Sequence, residues 1–289
     1  MNHRFSIGQC ATLACLLEVA APKPGNVHRG ADFEDLTLED YLTSAVAIAP
    51  AMDEAIDRPL GATVLAAVEA TRRAVGRNTN LGTVLLLAPL AKAPRSVPLE
   101  RGVAAVLASC GPEDARDVYA AIRLAAPGGL GKVDQYDVAG PPPDDLLMAM
   151  RAAAGRDMVA RQYAEGFRQV LGVAAPWLRD ATAQTRTLAE AIVHTFVRLL
   201  AEYPDSLIAR KCGLATAEEA AARAARVLAA GSPGEDAYGR ALADLDFWLR
   251  GDGHRRNPGT TADLIAAALF VGLRNGWIDT RRPFQSDAA

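Results

Sequence analysis

LAEAIVHTFVRLLAE, residues 188–202, reads as a helix and as nothing else. Leu188, Ile192, Val193, Phe196, Leu199 and Leu200 recur at the three- and four-residue spacing that lines one face of an α-helix. The same rhythm runs outward in both directions. Val64, Leu65, Val68 and Val75 mark a second face, with Glu69, Arg72 and Arg73 off it. Alanine and leucine, both strong helix formers, dominate the chain. Alternating β-branched or aromatic runs closed by Asn-Gly or Asp-Gly turns are scarce. Between the periodic segments stand breakers: Pro22 to Gly30, Pro59-Leu60-Gly61, Pro94 to Pro98, Gly111-Pro112, Pro127-Gly128-Gly129, Gly231 to Gly234 and Asn257-Pro258-Gly259. Gly140-Pro141-Pro142-Pro143 is the strongest, because consecutive prolines cannot continue a helix. The spacing of these breaks predicts an all-α fold of about a dozen helices. The proline stretch is too short to argue for a linker, so residues 1–289 are expected to form a single domain.

Bulk properties narrow the function by exclusion. The 289 residues are 50% hydrophobic and 22% charged, the balance of a globular chain with a sizeable core. A net charge of −3 advertises neither nucleic acid nor an acidic membrane as a partner. Ile7 to Leu17 is interrupted by Gln9 and Thr12 and followed by Glu18, so it reads as an amphipathic first helix rather than a secretory signal. The apolar run from Leu264 to Leu273 is about half of a membrane span. Cys10, Cys15, Cys110 and Cys212 fit no zinc pattern and read as small buried hydrophobes of a reducing, cytoplasmic protein. The histidines, His3, His28, His194 and His254, share no metal-ligand spacing, and His194 reads as a core residue. Neither G-x-S-x-G nor H-E-x-x-H occurs.

Five loops carry polar chemistry. In the first, Pro22 and Pro24 fix the backbone around Lys23, Gly25 allows a ligand to approach, and Lys23, His28 and Arg29 offer positive charge. A phosphate cradle and a rigid helix exit with solvated cations fit it equally. Asn78-Thr79-Asn80-Leu81-Gly82 precedes a strongly apolar helix and reads as a cap or as an anion site at a helix N-terminus. Ala126 to Asp134 is glycine-rich but is not a P-loop, because Val133 stands where Ser or Thr would hold magnesium. In Tyr203 to Lys211, Asp205 reads first as an N-cap, and alternatively as a base or magnesium ligand beside the Arg210-Lys211 pair. Asn257 to Leu264 opens the last long helix, with Asp263 three residues after Thr260 like the acidic member of a capping box. That turn, just after His254-Arg255-Arg256, also suits phosphate.

Taken in order, these segments resemble the triphosphoribosyl-dephospho-coenzyme A synthase family from roughly Glu18 to Leu273. Glu18 followed by Pro22-Lys23-Pro24-Gly25 is similar to the family's opening signature, continued by Gly30-Ala31-Asp32 and Asp35. Asn78 to Gly82 resembles its Asn-Thr-His-Lys-Gly segment, and Pro127 to Gly131 its Pro-Gly-Gly-Leu-Gly loop. Asp205 to Arg210 and Pro258 to Leu264 resemble its Asp-(Ser/Thr)-x-x-x-basic and Pro-Gly-Gly-Ser-Ala-Asp-Leu segments. Several matches in one order are far more specific than any alone. The chain also departs: Asn26 and His28 replace Leu and Asp, Asp32 replaces His, and Asn80 and Leu81 replace His and Lys, removing one phosphate-binding cation.

The resemblance implies an all-helical transferase that moves the triphosphoribosyl group of ATP onto 3′-dephospho-CoA and releases adenine. It implies magnesium, with Asp205 and Asp263 as its ligands. Catalytic carboxylates are expected among Glu18, Asp35, Asp205 and Asp263. Substrate contacts are expected from Lys23, Pro24, Gly25, Asn26 and His28; from Asn78, Thr79, Asn80 and Gly82; and from Arg210, Lys211, Gly259, Thr260 and Thr261. Asn80 or His28 would bond the departing adenine. The alternatives are a related phosphoribosyl or phosphoryl transferase of another cofactor pathway, and a non-catalytic helical nucleotide-binding protein. No motif fixes the oligomeric state, a homodimer included.

Overall fold

Two helices are apolar on every side, and the rest of the molecule is arranged around them. In the computed structural model, which describes residues 5–34, 36–281 and 284, they are α5 (Leu81–Lys92) and α15 (Gly259–Asn275). Residues 83–91 of α5 and 264–274 of α15 are all buried. A helix without a polar face must be enclosed by others. The two pack on each other, and α15 also packs on α1 (Ile7–Ala20), α10 (Ala175–Gln184) and α11 (Leu188–Glu202). The described residues form fifteen α-helices and one π-helical turn, Val170–Ala174; the only extended segment is Gly251–His254. The all-α expectation holds.

The remaining helices form two flanks. One holds α2 (Leu38–Ala47), α3 (Ala49–Asp53), α4 (Leu60–Val75), α6 (Leu99–Ala108) and α7 (Pro112–Ala125). Here α4 and α7 run side by side: Gly61 N donates to Asp114 Oδ1 at 2.8 Å, and no Cβ would fit between Gly61 and the Asp114 backbone. The other flank holds α8 (Leu146–Ala153), α9 (Met158–Ala164), α12 (Ser206–Cys212), α13 (Leu214–Ala229) and α14 (Asp236–Arg250), with α11 packed on α13. The face expected on α11 is buried in full, and His194 hydrogen-bonds Tyr238 through Nδ1 at 3.2 Å. One continuous core draws on elements from both sides of the Pro141–Pro143 turn. That turn is tied back to α7, whose Arg123 donates to the carbonyl oxygens of Val138 and Gly140.

Local sequence sets the helix ends. Ser6, Thr37 and Thr187 close capping boxes with Gln9, Asp40 and Glu190. Asp145, Asp157 and Asp205 cap α8, α9 and α12 through their side chains. All four cysteines are free thiols; Cys10 and Cys15 are buried as expected, whereas Cys110 and Cys212 are only half-buried. No helix among the described residues is long and apolar enough to cross a membrane.

Candidate active site

The first turns of α5 and α15 and the last turns of α1, α4, α7 and α12 open on one cavity of about 810 Å³. That is within the range of small-molecule sites. Glu18 comes from α1, Asn26 from the loop after it, Asn78 to Gly82 from the entry to α5, Arg210 and Lys211 from α12, and Gly259, Thr260 and Asp263 from the entry to α15. Segments more than two hundred residues apart in the chain thus share one wall.

Asp263 lies at the floor. α15 begins at Gly259 with Pro258 as its N-cap, so Asp263 is a full turn inside the helix and closes no capping box. Its Oδ1 accepts from Thr83 Oγ1 at 2.6 Å. Its Oδ2 lies so close to Gly82 that a Cβ there would collide with it. Glycine at 82 therefore lets a carboxyl group reach the first turn of α5. Burial pushes Asp263 up to about 8, opposed by the Thr83 hydrogen bond and reinforced by the charges of Glu18, Asp205 and Asp157. Such a group holds its proton at neutral pH.

Glu18 faces the cavity with a cation behind it. Lys23 is fully buried and does not line the cavity. Its Nζ pairs with Glu18 Oε1 at 2.9 Å and donates to the carbonyl oxygens of Glu18 and Ala21. Burial lowers its pKa, and the Glu18 charge raises it. Lys23 is thus committed to orienting a carboxylate, and the expected direct contact with phosphate does not fit its position. Pro24 and Gly25 are also buried outside the cavity wall. The His28 ring is spent on the turn, where Nδ1 accepts from Gly30 N at 3.1 Å, and it too lies off the wall.

Asp205 is fully buried, and both its oxygens are committed. Oδ1 accepts from Leu207 N and Ile208 N at 2.8 and 3.0 Å, and Oδ2 accepts from Thr261 N and Thr261 Oγ1, both at 2.7 Å. Burial raises its pKa. It is a clip joining α12 to α15, with no oxygen left for a ligand. Asp35 lies outside the described residues. Among the described residues no three or more His, Cys, Asp or Glu side chains gather to hold a metal ion. A resident magnesium on Asp205 and Asp263 does not fit these side chains.

Four cations and a glycine-rich loop form the mouth. Arg72 lies in the last turn of α4 and Arg77 just beyond it, and Arg210 and Lys211 lie in the last turn of α12. Arg210 Nη1 pairs with Asp157 Oδ2 at 2.7 Å. Between these helix ends runs the Pro127–Gly131 loop. Gly129 there has φ +78°, and its Cα faces Lys211 Cγ and Arg210 Cβ across a gap in which a Cβ would be crowded. The loop that sequence compares with a P-loop therefore covers the base of the cations.

Sequence reasoning missed several wall residues. Arg72 reads as a solvated residue off its helix face, and Asp157 and Thr83 carry no motif. Asn257 and His254 stand in a quoted loop without a role, yet both line the cavity. Nor does any local signal reveal the α14 clamp. Asp246 Oδ1 accepts from Gly25 N at 2.7 Å and from Arg250 Nε at 2.9 Å, and Arg250 donates to the Asn26 carbonyl oxygen.

The sequence profile of the family described as ATP:dephospho-CoA triphosphoribosyl transferase matches residues 4–281. Among solved structures, this chain is similar to the crystal structure of an Archaeoglobus fulgidus protein assigned to the triphosphoribosyl-dephospho-CoA synthases. The two share 27% identity and a TM-score of 0.63, over 82% of this chain and 100% of the other. No curated protein matches the chain.

Proposed function

The chain belongs to the ATP:dephospho-CoA triphosphoribosyl transferase family, and from that premise we propose how its cavity carries out the transfer. The reaction joins C1′ of the ATP ribose to a hydroxyl oxygen of dephospho-CoA and expels adenine. The observation that carries the reading is the meeting of Glu18, Asn80, Arg210, Gly259 and Asp263 on one wall.

The triphosphate of MgATP lies at the mouth among Arg72, Arg77, Arg210 and Lys211, whose charges offset its own. Magnesium arrives with the nucleotide, since such ions take most ligands from phosphate and water. The ribose then lies toward the floor, between Glu18 and Asp263. The acceptor 2′-hydroxyl attacks C1′ as the bond from C1′ to N9 of adenine breaks, through a transition state with oxocarbenium character. Glu18, oriented by Lys23, takes the hydroxyl proton and faces the positive charge that develops on the ribose. Asp263 hands its own proton to adenine, so that a neutral base departs. Its position against Gly82 and Thr83 and its pKa of about 8 suit it to this role. Two carboxyl groups thus divide base and acid work because one is paired with a buried lysine and the other is not.

ATP is a cytoplasmic substrate, and the free thiols suit that compartment. The direct test is chromatography of the bases and nucleotides formed from MgATP. Free adenine should appear only when dephospho-CoA is present, in equal amount to the acceptor consumed. ADP or diphosphate in place of adenine would mean a phosphoryl or a different ribosyl transfer.

A further inference from the structure

Among the described residues that line this cavity, three buried side-chain atoms have no hydrogen-bond partner: Nε of Arg210, whose guanidinium is already held by Asp157, and two amide atoms, Oδ1 of Asn26 and Nδ2 of Asn80. Asn26 is 5% exposed and Asn80 8%. A buried amide atom left unsatisfied costs its full desolvation, so native proteins keep very few without a reason. Here one is an acceptor and the other a donor, and both line the space that a ligand would fill.

The rest of each amide is fixed, so neither can turn away to find a partner. Asn26 Nδ2 donates to Asn257 Oδ1, and its carbonyl oxygen is held by Arg250. Gly25, just before it, has φ +75° and packs against Leu249 with no room for a Cβ, while its N–H is held by Asp246. At the entry to α5, Asn80 Oδ1 accepts from Thr71 Oγ1 at 3.1 Å, and its carbonyl oxygen accepts from Val84 N at 2.8 Å. Asn80 occupies the N-cap position of α5 without capping it through its side chain. The cap work is done by Asn78, whose Oδ1 accepts from Leu81 N at 3.1 Å. The Asn80 amide is thereby released from the usual task of its position.

We propose that Asn26 and Asn80 form the subsite for the adenine ring of the donor nucleotide, Asn26 accepting from its 6-amino group and Asn80 donating to a ring nitrogen. This rests on the reading of the cavity as the transfer site and adds to it the residues that recognise the leaving base. An acceptor and a donor lining the same cavity complement an aminopurine, whose amino group gives a proton while its ring nitrogens take one. An oxopurine presents a carbonyl oxygen to Asn26 instead and is repelled. The donor's base is favoured over the acceptor's because Asn80 opens the helix whose first turn holds Asp263 against Gly82. The base bonded there has the proton source beside it when it leaves.

Calorimetry on the full chain tests this with three ligands: MgATP, magnesium inosine triphosphate and dephospho-CoA. The wild-type protein should bind MgATP about tenfold more tightly than the inosine nucleotide, the difference one lost hydrogen bond makes. Asn26→Ala should weaken MgATP about tenfold and leave the inosine nucleotide nearly unchanged, collapsing the preference. Asn80→Ala should weaken MgATP by a similar factor, with dephospho-CoA unaffected in both variants. Equal binding of the two triphosphates by the wild type, a measurement that needs no folded variant, would overturn the proposal. So would a loss confined to dephospho-CoA, or equal losses for both triphosphates in Asn26→Ala. Adenine release without base preference would sink this subsite and leave the transfer reaction standing; base preference without adenine release would do the reverse.

Discussion

Asp263 shows how a single side chain acquires a role from its surroundings. In the sequence it follows Thr260 at the spacing of a capping box, and that reading makes it the cap of a buried helix, with a catalytic or magnesium-binding role as the alternative. The helix starts two positions too early for that, at Gly259, and Asp263 turns inward to Thr83, 180 positions away. Its oxygens meet the Thr83 hydroxyl and the Gly82 backbone, and the charges that act on it, Glu18, Asp205 and Asp157, are carboxylates. All these push its pKa the same way except the hydrogen bond. As a general acid it must be protonated, so kcat/KM should fall as pH rises through about 8. Asp263→Asn should lower kcat by about 10²- to 10⁴-fold, the range for loss of an acid–base group, and abolish that alkaline limb. Stability carries the same signature. Because the folded pKa lies above the ordinary carboxylate value, the wild type loses stability relative to Asp263→Asn as pH rises from about 4 to about 8. A pH–rate profile unchanged by the substitution would assign the acid elsewhere.

At the scale of elements, the site exists because two central helices present their first turns to the same space and are pinned there. The pin on α15 is Asp205. It caps α12 with one oxygen and holds Thr261 with the other, so the two helices cannot slide independently. Asp205→Ala removes a cap and two buried charge-assisted bonds, and should lower the unfolding free energy by roughly 2–4 kcal/mol, read from urea denaturation. An unchanged midpoint with lost nucleotide binding would instead favour the ligand role that the sequence allows for it. A second pin, Asp246 and Arg250 of α14, fixes the loop of Gly25 and Asn26. These pins explain what was legible in advance and what was not. Helices such as α5, α11 and α15 declare themselves through periodic or unbroken apolar runs, and their breaks through Pro and Gly. The loop motifs announce polar chemistry. Whether Lys23 faces a phosphate or a carboxylate depends on Glu18 at a helix end, and whether Asp205 binds a ligand depends on Thr261, 56 positions on. No local pattern carries such pairings.

For the whole molecule, the chain's net charge of −3 hides a local arrangement of opposite sense: Arg72, Arg77, Arg210 and Lys211 gather at one cavity mouth, with Glu18 and Asp263 farther in. Bulk charge advertises no polyanionic surface partner and says nothing of a single polyphosphate. Only the shared core of α5 and α15 brings the first loop, the middle loops and the last turn into one wall. The order of motifs along the chain could suggest that meeting, but the supporting clamps and two of the four cations had no motif to mark them. What the assembled cavity is claimed to do is cut ATP between base and sugar while keeping sugar and triphosphate together. ATP labelled with carbon-13 in the ribose, incubated with the enzyme and dephospho-CoA, reads this by mass spectrometry. The labelled ribose and all three phosphates should leave together on dephospho-CoA, with unlabelled adenine free. Label that stays joined to adenine while phosphate alone moves would contradict the account.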